Sequence, residues 1–231
     1  MDIKSTIDIK PTKLNAIIFG NSGCGKTTLA STLQGKTIVV SLESGLLSLR
    51  KFNVDYVEIK SITPKSRYEQ LQKTMIEISK SDYENVFIDS LTDIAQTFVD
   101  CAKEDFPDPK QSFPMWGKYN ERINSFLKYT RDMDKNVFYT ALMKTEKDEL
   151  GRRYNAPDLA GSISTKSAAL FDFVFPMISF KNEEGELKRV LITSSDDTYI
   201  SKDRSSSLNA FEEPNLSNII NKVFNQGEKN D

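Results

Sequence analysis

The sequence predicts an α/β fold in which a mainly parallel central sheet is flanked by helices. Short apolar segments alternate with segments of helical periodicity from residue 14 to residue 142. A glycine-rich segment joins the first apolar segment to the first helical one, and further apolar segments follow one another closely near the C-terminus. Alternating strands and helices are typical of a parallel sheet, and adjacent strands are typical of hairpins. We therefore expect a C-terminal β-hairpin edge on the same sheet.

The predicted strands are short, apolar and rich in β-branched residues, and the predicted helices repeat apolar residues every three or four positions. The strands are expected at residues 14–19, 37–41, 56–59, 85–88, 136–142, 173–180, 187–193 and 198–201. The helices are expected at residues 26–33, 66–79, 91–104, 116–133 and 215–224. Three prolines predict a loop at 105–114, and a polar, irregular stretch is expected at 144–166.

Composition excludes several classes of function. The 231 residues carry 31 basic and 33 acidic side chains, so the net charge is −2 and no global basic field attracts nucleic acid. There is no histidine and there are only two cysteines, Cys24 and Cys101, which argues against disulfide scaffolds, zinc fingers and histidine catalysis. The 38% hydrophobic content supports a sizeable core.

The chain reads as one domain of residues 1–231, with a polar lead-in at 1–13 and a frayed tail at 226–231. Neither a signal peptide nor a membrane span is apparent, because the purely apolar runs are too short for either. We expect a cytoplasmic protein with no membrane partner.

The glycine-rich segment, residues 20–27, matches the pattern of a phosphate-binding loop, and it stands between a predicted strand and a predicted helix as such loops do. A glycine-rich turn before a helix is the alternative. Its glycines allow backbone N–H groups to surround phosphate oxygens at the helix N-terminus. Lys26 is expected to reach the β- and γ-phosphates, and the Thr27 hydroxyl to bind Mg²⁺. The predicted nucleotide-binding residues are Gly20, Asn21, Ser22, Gly23, Cys24, Gly25, Lys26, Thr27 and Thr28.

Two acidic residues at strand ends complete the predicted site. Asp89 ends an apolar strand at the edge where open α/β sheets bind ligands, so it is expected to bind the metal with Thr27; capping the next helix is the alternative. Glu43 follows the strand at 37–41 and is expected to activate the attacking water. A solvated glutamate that opens a short helix at 44–49 is the alternative.

Two cations, Lys202 and Arg204, follow the strand predicted at 198–201. Their spacing directs both side chains the same way. A cation supplied by a neighbouring subunit accelerates phosphoryl transfer, so this pair is a candidate for that catalytic role. A solvated charged turn is the alternative reading.

Together these residues resemble the RecA-like P-loop ATPase core, and more narrowly phage-encoded nucleotide-binding proteins associated with single-strand annealing and recombination. The resemblance covers residues 14–204 and includes the phosphate loop and the segments 39–45, 87–90, 116–117, 158–161 and 200–204. It implies ATP and Mg²⁺ as cofactors, self-association as a ring or filament, and Lys202 and Arg204 reaching the nucleotide of the next subunit. Two departures are Ser41, where an acidic residue is common, and Met143-Lys144, where a polar sensor is common.

The resemblance also implies that two loops, 105–114 and 144–166, contact single-stranded DNA. The second loop contains Lys144, Lys147, Arg152, Arg153 and Lys166, as well as Tyr154. Cations with an aromatic ring suit a strand that is bound through its backbone and stacked bases. A solvated loop that orders when nucleotide binds is the alternative.

The function expected is a Mg²⁺-dependent ATPase that acts on single-stranded DNA in phage-type recombination, with phage or host recombination proteins as further partners and host cytoplasm as its location. Two alternatives stay open. One is a small-molecule or nucleotide kinase, in which Gly151, Arg152 and Arg153 form a lid. The other is a non-hydrolysing, nucleotide-dependent switch or adaptor.

Overall fold

A ten-stranded sheet forms the centre of the structure, a computed structural model that describes residues 12–43 and 45–225, the side chains of residues 165, 167 and 168 excepted. Residues 1–11 of the predicted lead-in and the predicted tail at 226–231 lie outside the described residues. The strands are β1 (Asn15–Gly20), β2 (Thr37–Ser41), β3 (Asp55–Glu58), β4 (Asn85–Asp89), β5 (Asn136–Lys147), β6 (Arg153–Pro157), β7 (Phe173–Lys181), β8 (Leu187–Ile192), β9 (Lys202–Asp203) and β10 (Phe211–Glu212).

The strand order is β10-β8-β7-β1-β5-β4-β2-β3, with β6 paired to β5 and β9 paired to β7. The strands from β7 to β3 in this order are parallel, whereas β6, β8, β9 and β10 pair antiparallel with their neighbours. The parallel sheet and its C-terminal hairpin, β7–β8, confirm the predicted α/β architecture. Because parallel strands run the same way, their C-terminal ends meet at one edge, which we call the carboxyl edge.

Helices cover both faces of this sheet. They are α1 (Pro64–Ser79), α2 (Leu91–Asp105), α3 (Ser112–Arg131), α4 (Ile163–Leu170) and α5 (Leu216–Phe224), with 3₁₀ helices at Thr27–Thr32, Leu46–Leu49 and Pro109–Gln111. Three of the α-helices begin at side-chain caps that accept backbone N–H bonds: Thr63 for α1, Ser90 for α2 and Asn215 for α5. Pro64 begins α1 at a position where its missing N–H is not needed.

The core has one layer on each face of the sheet. On one face, side chains such as Ile17 and Ile88 pack against Phe98 of α2 and Ile123 of α3. The residues between them along each strand point to the other face, because side chains alternate in a strand. That second layer joins the sheet to the 3₁₀ helix at Thr27–Thr32 and to α5.

The segment after the phosphate loop differs from the α-helix predicted at 26–33. It is a 3₁₀ helix, Thr27–Thr32. The hydroxyls of Thr28, Ser31 and Thr32 each donate to the carbonyl three residues earlier, at 2.7 Å. Hydroxyl side chains that bond the backbone in this way compete with the regular helical pattern, which explains the tighter turn.

The loop prediction at 105–114 was partly wrong, since a 3₁₀ helix occupies Pro109–Gln111 and α3 already starts at Ser112. Pro114 lies in the first turn of α3, where backbone N–H groups have no helical partner and proline is tolerated. The prolines therefore mark the start of a helix as well as the end of a loop.

The irregular stretch predicted at 144–166 was wrong. β5 continues to Lys147 and forms an antiparallel hairpin with β6, and α4 follows. The hairpin was not predicted because its sequence is polar. It extends past Leu142, the last β5 residue that pairs with β1, and fewer side chains are fully buried beyond that point.

The strand predicted at 198–201 was also wrong. The Asp196 carboxylate accepts the backbone N–H groups of Thr198 and Tyr199, both at 2.8 Å, so the chain turns there. Only an isolated bridge links Tyr199 to Asn155, and the strand in this region is β9, at Lys202–Asp203.

Candidate nucleotide-binding site

The phosphate loop begins at the last residue of β1, on the carboxyl edge. Gly20 lies so close to β7 that a Cβ atom at this position would be 2.4 Å from the Met177 carbonyl oxygen. Gly25 has a φ of +103°, a conformation that L side chains rarely adopt. These two constraints account for glycine at both positions and give the loop its tight curve.

Lys26 lies over the loop. Its ammonium group donates to the Gly20 carbonyl at 2.8 Å and to the Asn21 carbonyl at 2.9 Å. The Cys24 sulfur, a weak acceptor, is 4.0 Å away. The positive charge of Lys26 is thus held at the mouth of the loop, where the predicted phosphates would lie.

The carboxylate of Asp89 joins the loop to the middle of the sheet. The Thr27 hydroxyl donates to Asp89 Oδ2 at 2.8 Å, and the Thr140 hydroxyl donates to Asp89 Oδ1. Asp89 is buried, and the next helix is capped by Ser90 instead, so the capping alternative for Asp89 does not hold. The two metal-binding residues predicted from sequence are therefore in direct contact.

A third oxygen lies beside this pair. Ser41 pairs with Asp89 across β2 and β4, and its buried hydroxyl makes no hydrogen bond within the described residues. Such an orphaned oxygen fits a site that also holds water or a cation. The described residues contain no cluster of three or more cysteine, aspartate or glutamate side chains at metal-binding distance. Mg²⁺ suits this arrangement, because it usually takes one or two protein ligands together with phosphates and waters.

Glu43 lies next to this site, two residues beyond β2. Its carboxylate accepts a hydrogen bond from the Ser90 hydroxyl at 2.6 Å, and Asp93 accepts from the same hydroxyl. The residue as a whole is exposed, but its carboxyl group is partly desolvated. Desolvation is the main cause that raises the pKa of Glu43 to about 7, and Asp93 and the charge of Asp89 add to it. A carboxyl with this pKa can accept a proton near neutral pH.

Lys202 and Arg204 lie elsewhere. Lys202 pairs with Val174, which is level with Ile17 of β1, so it is about 10 Å from Gly20 along the strand direction. The Lys202 amine donates to the Phe171 carbonyl at 2.9 Å. Arg204 forms an exposed ion pair of 2.6 Å with Asp172, which precedes β7. The structure therefore brings both cations towards the edge opposite the phosphate loop.

The cations predicted to bind DNA differ in their surroundings. Lys144 pairs with Glu146 at 3.0 Å and Arg152 pairs with Asp148 at 2.7 Å, so acidic neighbours compensate both. Lys147 and Arg153 are exposed and face each other across the β5–β6 hairpin. Lys166 is exposed on α4. The predicted kinase lid, residues 151–153, instead spans the turn of this hairpin and the first residue of β6.

One residue near the loop was missed. Arg189 of β8 lies against Gly25, and a Cβ atom on Gly25 would be 3.3 Å from its Nε atom. The sequence contains an adjacent pair of cations, Lys188 and Arg189, in a predicted strand. It does not indicate which strand lies beside β8 or which of the two side chains faces the loop.

A strand, a glycine-rich loop and a helix, with a threonine hydroxyl bonded to a strand-end aspartate, define a P-loop NTPase-type domain. A family model described as an AAA domain matches residues 12–205, so the chain belongs to this family of AAA domains, which indicates a nucleotide-binding ATPase. No curated protein matches the chain. Among the described residues, no helix combines the length and the apolar character needed to cross a membrane.

Proposed function

We propose that this protein is a Mg²⁺-dependent ATPase with a RecA-like core that acts on single-stranded DNA in phage-type recombination or annealing. The observation that carries the proposal is the contact between the Thr27 hydroxyl and the Asp89 carboxylate, 2.8 Å, with Glu43 beside it at the same edge of the sheet. Binding, metal and proton-transfer groups from three separate strands converge there.

Each group has a defined task. The loop N–H groups and Lys26 bind the phosphates, and Thr27 and Asp89 would hold Mg²⁺. When bound, Mg²⁺ neutralises charge on the phosphate oxygens. Glu43 orients the attacking water and accepts its proton, for which its raised pKa suits it.

The DNA half of the proposal rests on the β5–β6 hairpin. This hairpin extends beyond Leu142, which is level with Gly20, so it projects from the same edge as the phosphate loop. Lys147 and Arg153 are exposed there and form no ion pair among the residues described. Two adjacent cations on a projecting hairpin suit contacts to a phosphate backbone.

Self-association is proposed from the position of Lys202 and Arg204. Both lie away from the carboxyl edge of their own chain, whereas a head-to-tail assembly brings the opposite edge of one subunit towards the loop of the next. A cation contributed in this way stabilises the charge of the transferred phosphoryl group.

The test is ATP turnover with and without single-stranded DNA, measured for wild-type protein and for Lys26→Ala, Thr27→Ala and Thr27→Ser. We expect DNA to stimulate wild-type turnover. Lys26→Ala and Thr27→Ala should each reduce it by about a hundredfold or more, whereas Thr27→Ser keeps the hydroxyl and most of the activity.

Two results would contradict the proposal. Nucleotide binding with no turnover, with or without DNA, favours the switch or adaptor. Transfer of phosphate to a nucleoside monophosphate favours the kinase.

A further inference from the structure

The guanidinium of Arg189 lies against the phosphate loop of its own chain. A Cβ atom on Gly25 would be 3.3 Å from Arg189 Nε and 3.4 Å from its Cδ, so the side chain passes directly over this glycine. Gly25 immediately precedes Lys26, whose ammonium lies over the same loop. Two cations thus flank the segment whose N–H groups are expected to face phosphate.

The strand pairing explains why Arg189 reaches this place. β8 runs antiparallel to β7, with Leu191 opposite Met177 and Arg189 opposite Ser179. Leu191 packs in the same core layer as the 3₁₀ helix that follows the loop, and Arg189, two residues away, points to the same face. Ser179 lies two residues beyond Met177, which touches Gly20, so Arg189 stands just outside the carboxyl edge.

The charge of Arg189 is not compensated by a neighbour. Within the described part of the chain it makes no ion pair and no side-chain hydrogen bond, and it is exposed. Lys188, on the other face of the same strand, pairs with Glu186 at 2.8 Å. Two neighbouring cations repel each other, and an anion that lies between them and accepts from the loop N–H groups offsets this repulsion.

We propose that Arg189 binds phosphate oxygens of the nucleotide held in its own chain, as a cation supplied in cis by the β7–β8 hairpin. This inference rests on the proposed nucleotide-binding function. The planar guanidinium can donate two parallel hydrogen bonds to a phosphate group, and its contact with Gly25 places it beside the loop that is proposed to bind the phosphates. Arg189 therefore differs from Arg204, which is proposed to act on the nucleotide of a neighbouring subunit.

The test is equilibrium binding of ATP, ADP and adenosine to wild-type protein and to Arg189→Ala, Arg189→Gln and Arg189→Lys. Lys188→Ala is the matched control, because it removes a cation from the opposite face of the same strand. We expect Arg189→Ala and Arg189→Gln to weaken ATP binding by about tenfold or more, the loss typical of one hydrogen bond to a charged group. Arg189→Lys should recover part of this loss, and Lys188→Ala should bind as wild type does.

The outcomes separate this inference from the proposed function. If wild-type protein binds no ATP, the proposed function fails and the inference fails with it. If wild type binds ATP and both Arg189→Ala and Arg189→Gln bind it equally well, only the inference is overturned. Equal losses for ATP and adenosine would also overturn it, because they place Arg189 on the base or ribose.

Discussion

At the Ser90 hydroxyl, two carboxyl groups compete for one proton. Glu43 and Asp93 both accept from this hydroxyl, which can donate to only one of them at a time. Protonation of Glu43 relieves the desolvation of its carboxylate and, to a smaller extent, its repulsion by Asp93 and Asp89, and this raises its pKa to about 7. Desolvation and neighbouring negative charge thus bring the pKa of this glutamate close to neutral pH.

A pH dependence follows from this raised pKa. Glu43 accepts a proton only when it is ionised, so turnover should rise as the pH increases through about 7 and fall below it. Bound Mg²⁺ would move the midpoint to lower pH, because its charge favours the carboxylate. The measurement is ATP turnover between pH 5 and pH 9 for wild-type protein and Glu43→Gln.

Glu43→Gln should lower turnover by about a hundredfold or more and remove this rise, because the amide does not titrate in the range. ATP binding by the variant serves as the control for folding. An unchanged pH profile in Glu43→Gln would assign the proton transfer to another group.

Among the elements, α5 contacts the 3₁₀ helix that follows the phosphate loop. Its N-terminal residues bond the end of the 3₁₀ helix: Leu216 N–H donates to the Thr32 hydroxyl at 3.0 Å, and the Ser217 hydroxyl accepts from Gln34 N–H at 2.8 Å. Ile219 is fully buried in the core layer that contains Leu29 of the 3₁₀ helix. α5 therefore packs against the 3₁₀ helix that directly follows the phosphate loop.

Truncation of this contact should destabilise the fold. Ile219→Ala removes buried methyl and methylene groups and leaves a cavity, so the free energy of unfolding should fall by about 2–5 kcal/mol. Denaturant unfolding measures the change, with Asn218→Ala on the exposed side of the same helix as control. A loss below about 0.5 kcal/mol, the usual effect of a surface substitution, would contradict the packing described.

The β5–β6 hairpin is the element expected to meet DNA. Lys147→Ala combined with Arg153→Ala should weaken single-stranded DNA binding. It should also lower the slope of log affinity against log salt by about 0.7 for each lost phosphate contact. Fluorescence anisotropy with a labelled oligonucleotide at several salt concentrations measures both quantities.

A matched control removes the same charge elsewhere. Lys80 follows α1 and Lys128 lies in the last turn of α3, and after both helices the chain enters its next strand at the edge opposite the hairpin. Lys80→Ala combined with Lys128→Ala should leave the salt slope unchanged. Equal effects of the two double substitutions would indicate that net charge, and not the hairpin, governs DNA binding.

For the whole molecule, the separation of Arg204 from the phosphate loop gives a test of assembly. Arg204→Ala and Glu43→Gln proteins should each turn over ATP slowly, while a one-to-one mixture should recover about a quarter of wild-type turnover. When the two variants assemble at random, about a quarter of the interfaces combine a pocket that retains Glu43 with a neighbouring subunit that retains Arg204. Steady-state turnover of the mixture measures the recovery.

The control mixture combines Lys26→Ala with Glu43→Gln. Both defects lie in the pocket that a single chain provides, so mixing should restore nothing. Recovery in neither mixture would place the action of Arg204 outside a shared interface.

Much of the architecture was predictable because its signals are local. The strand at 37–41 is confirmed without change as β2, and the strand predicted at 85–88 is extended by one residue as β4, Asn85–Asp89. The prediction failed where the hydrophobic pattern was weak, as in the polar segment after Leu142, which forms a hairpin. The loop prediction also failed at Pro114, because this proline lies within the first turn of a helix.

The sequence alone determined the phosphate loop, the acidic residues at two strand ends and the alternation of strands and helices, because each depends on neighbouring residues along the chain. Only the tertiary structure decided which of these residues are in contact. Strand pairing over long separations placed Asp89 against Thr27 and Arg189 over Gly25, and moved Lys202 and Arg204 away from the loop. Such pairings depend on the register and order of strands within the sheet, which the local pattern of one sequence does not specify.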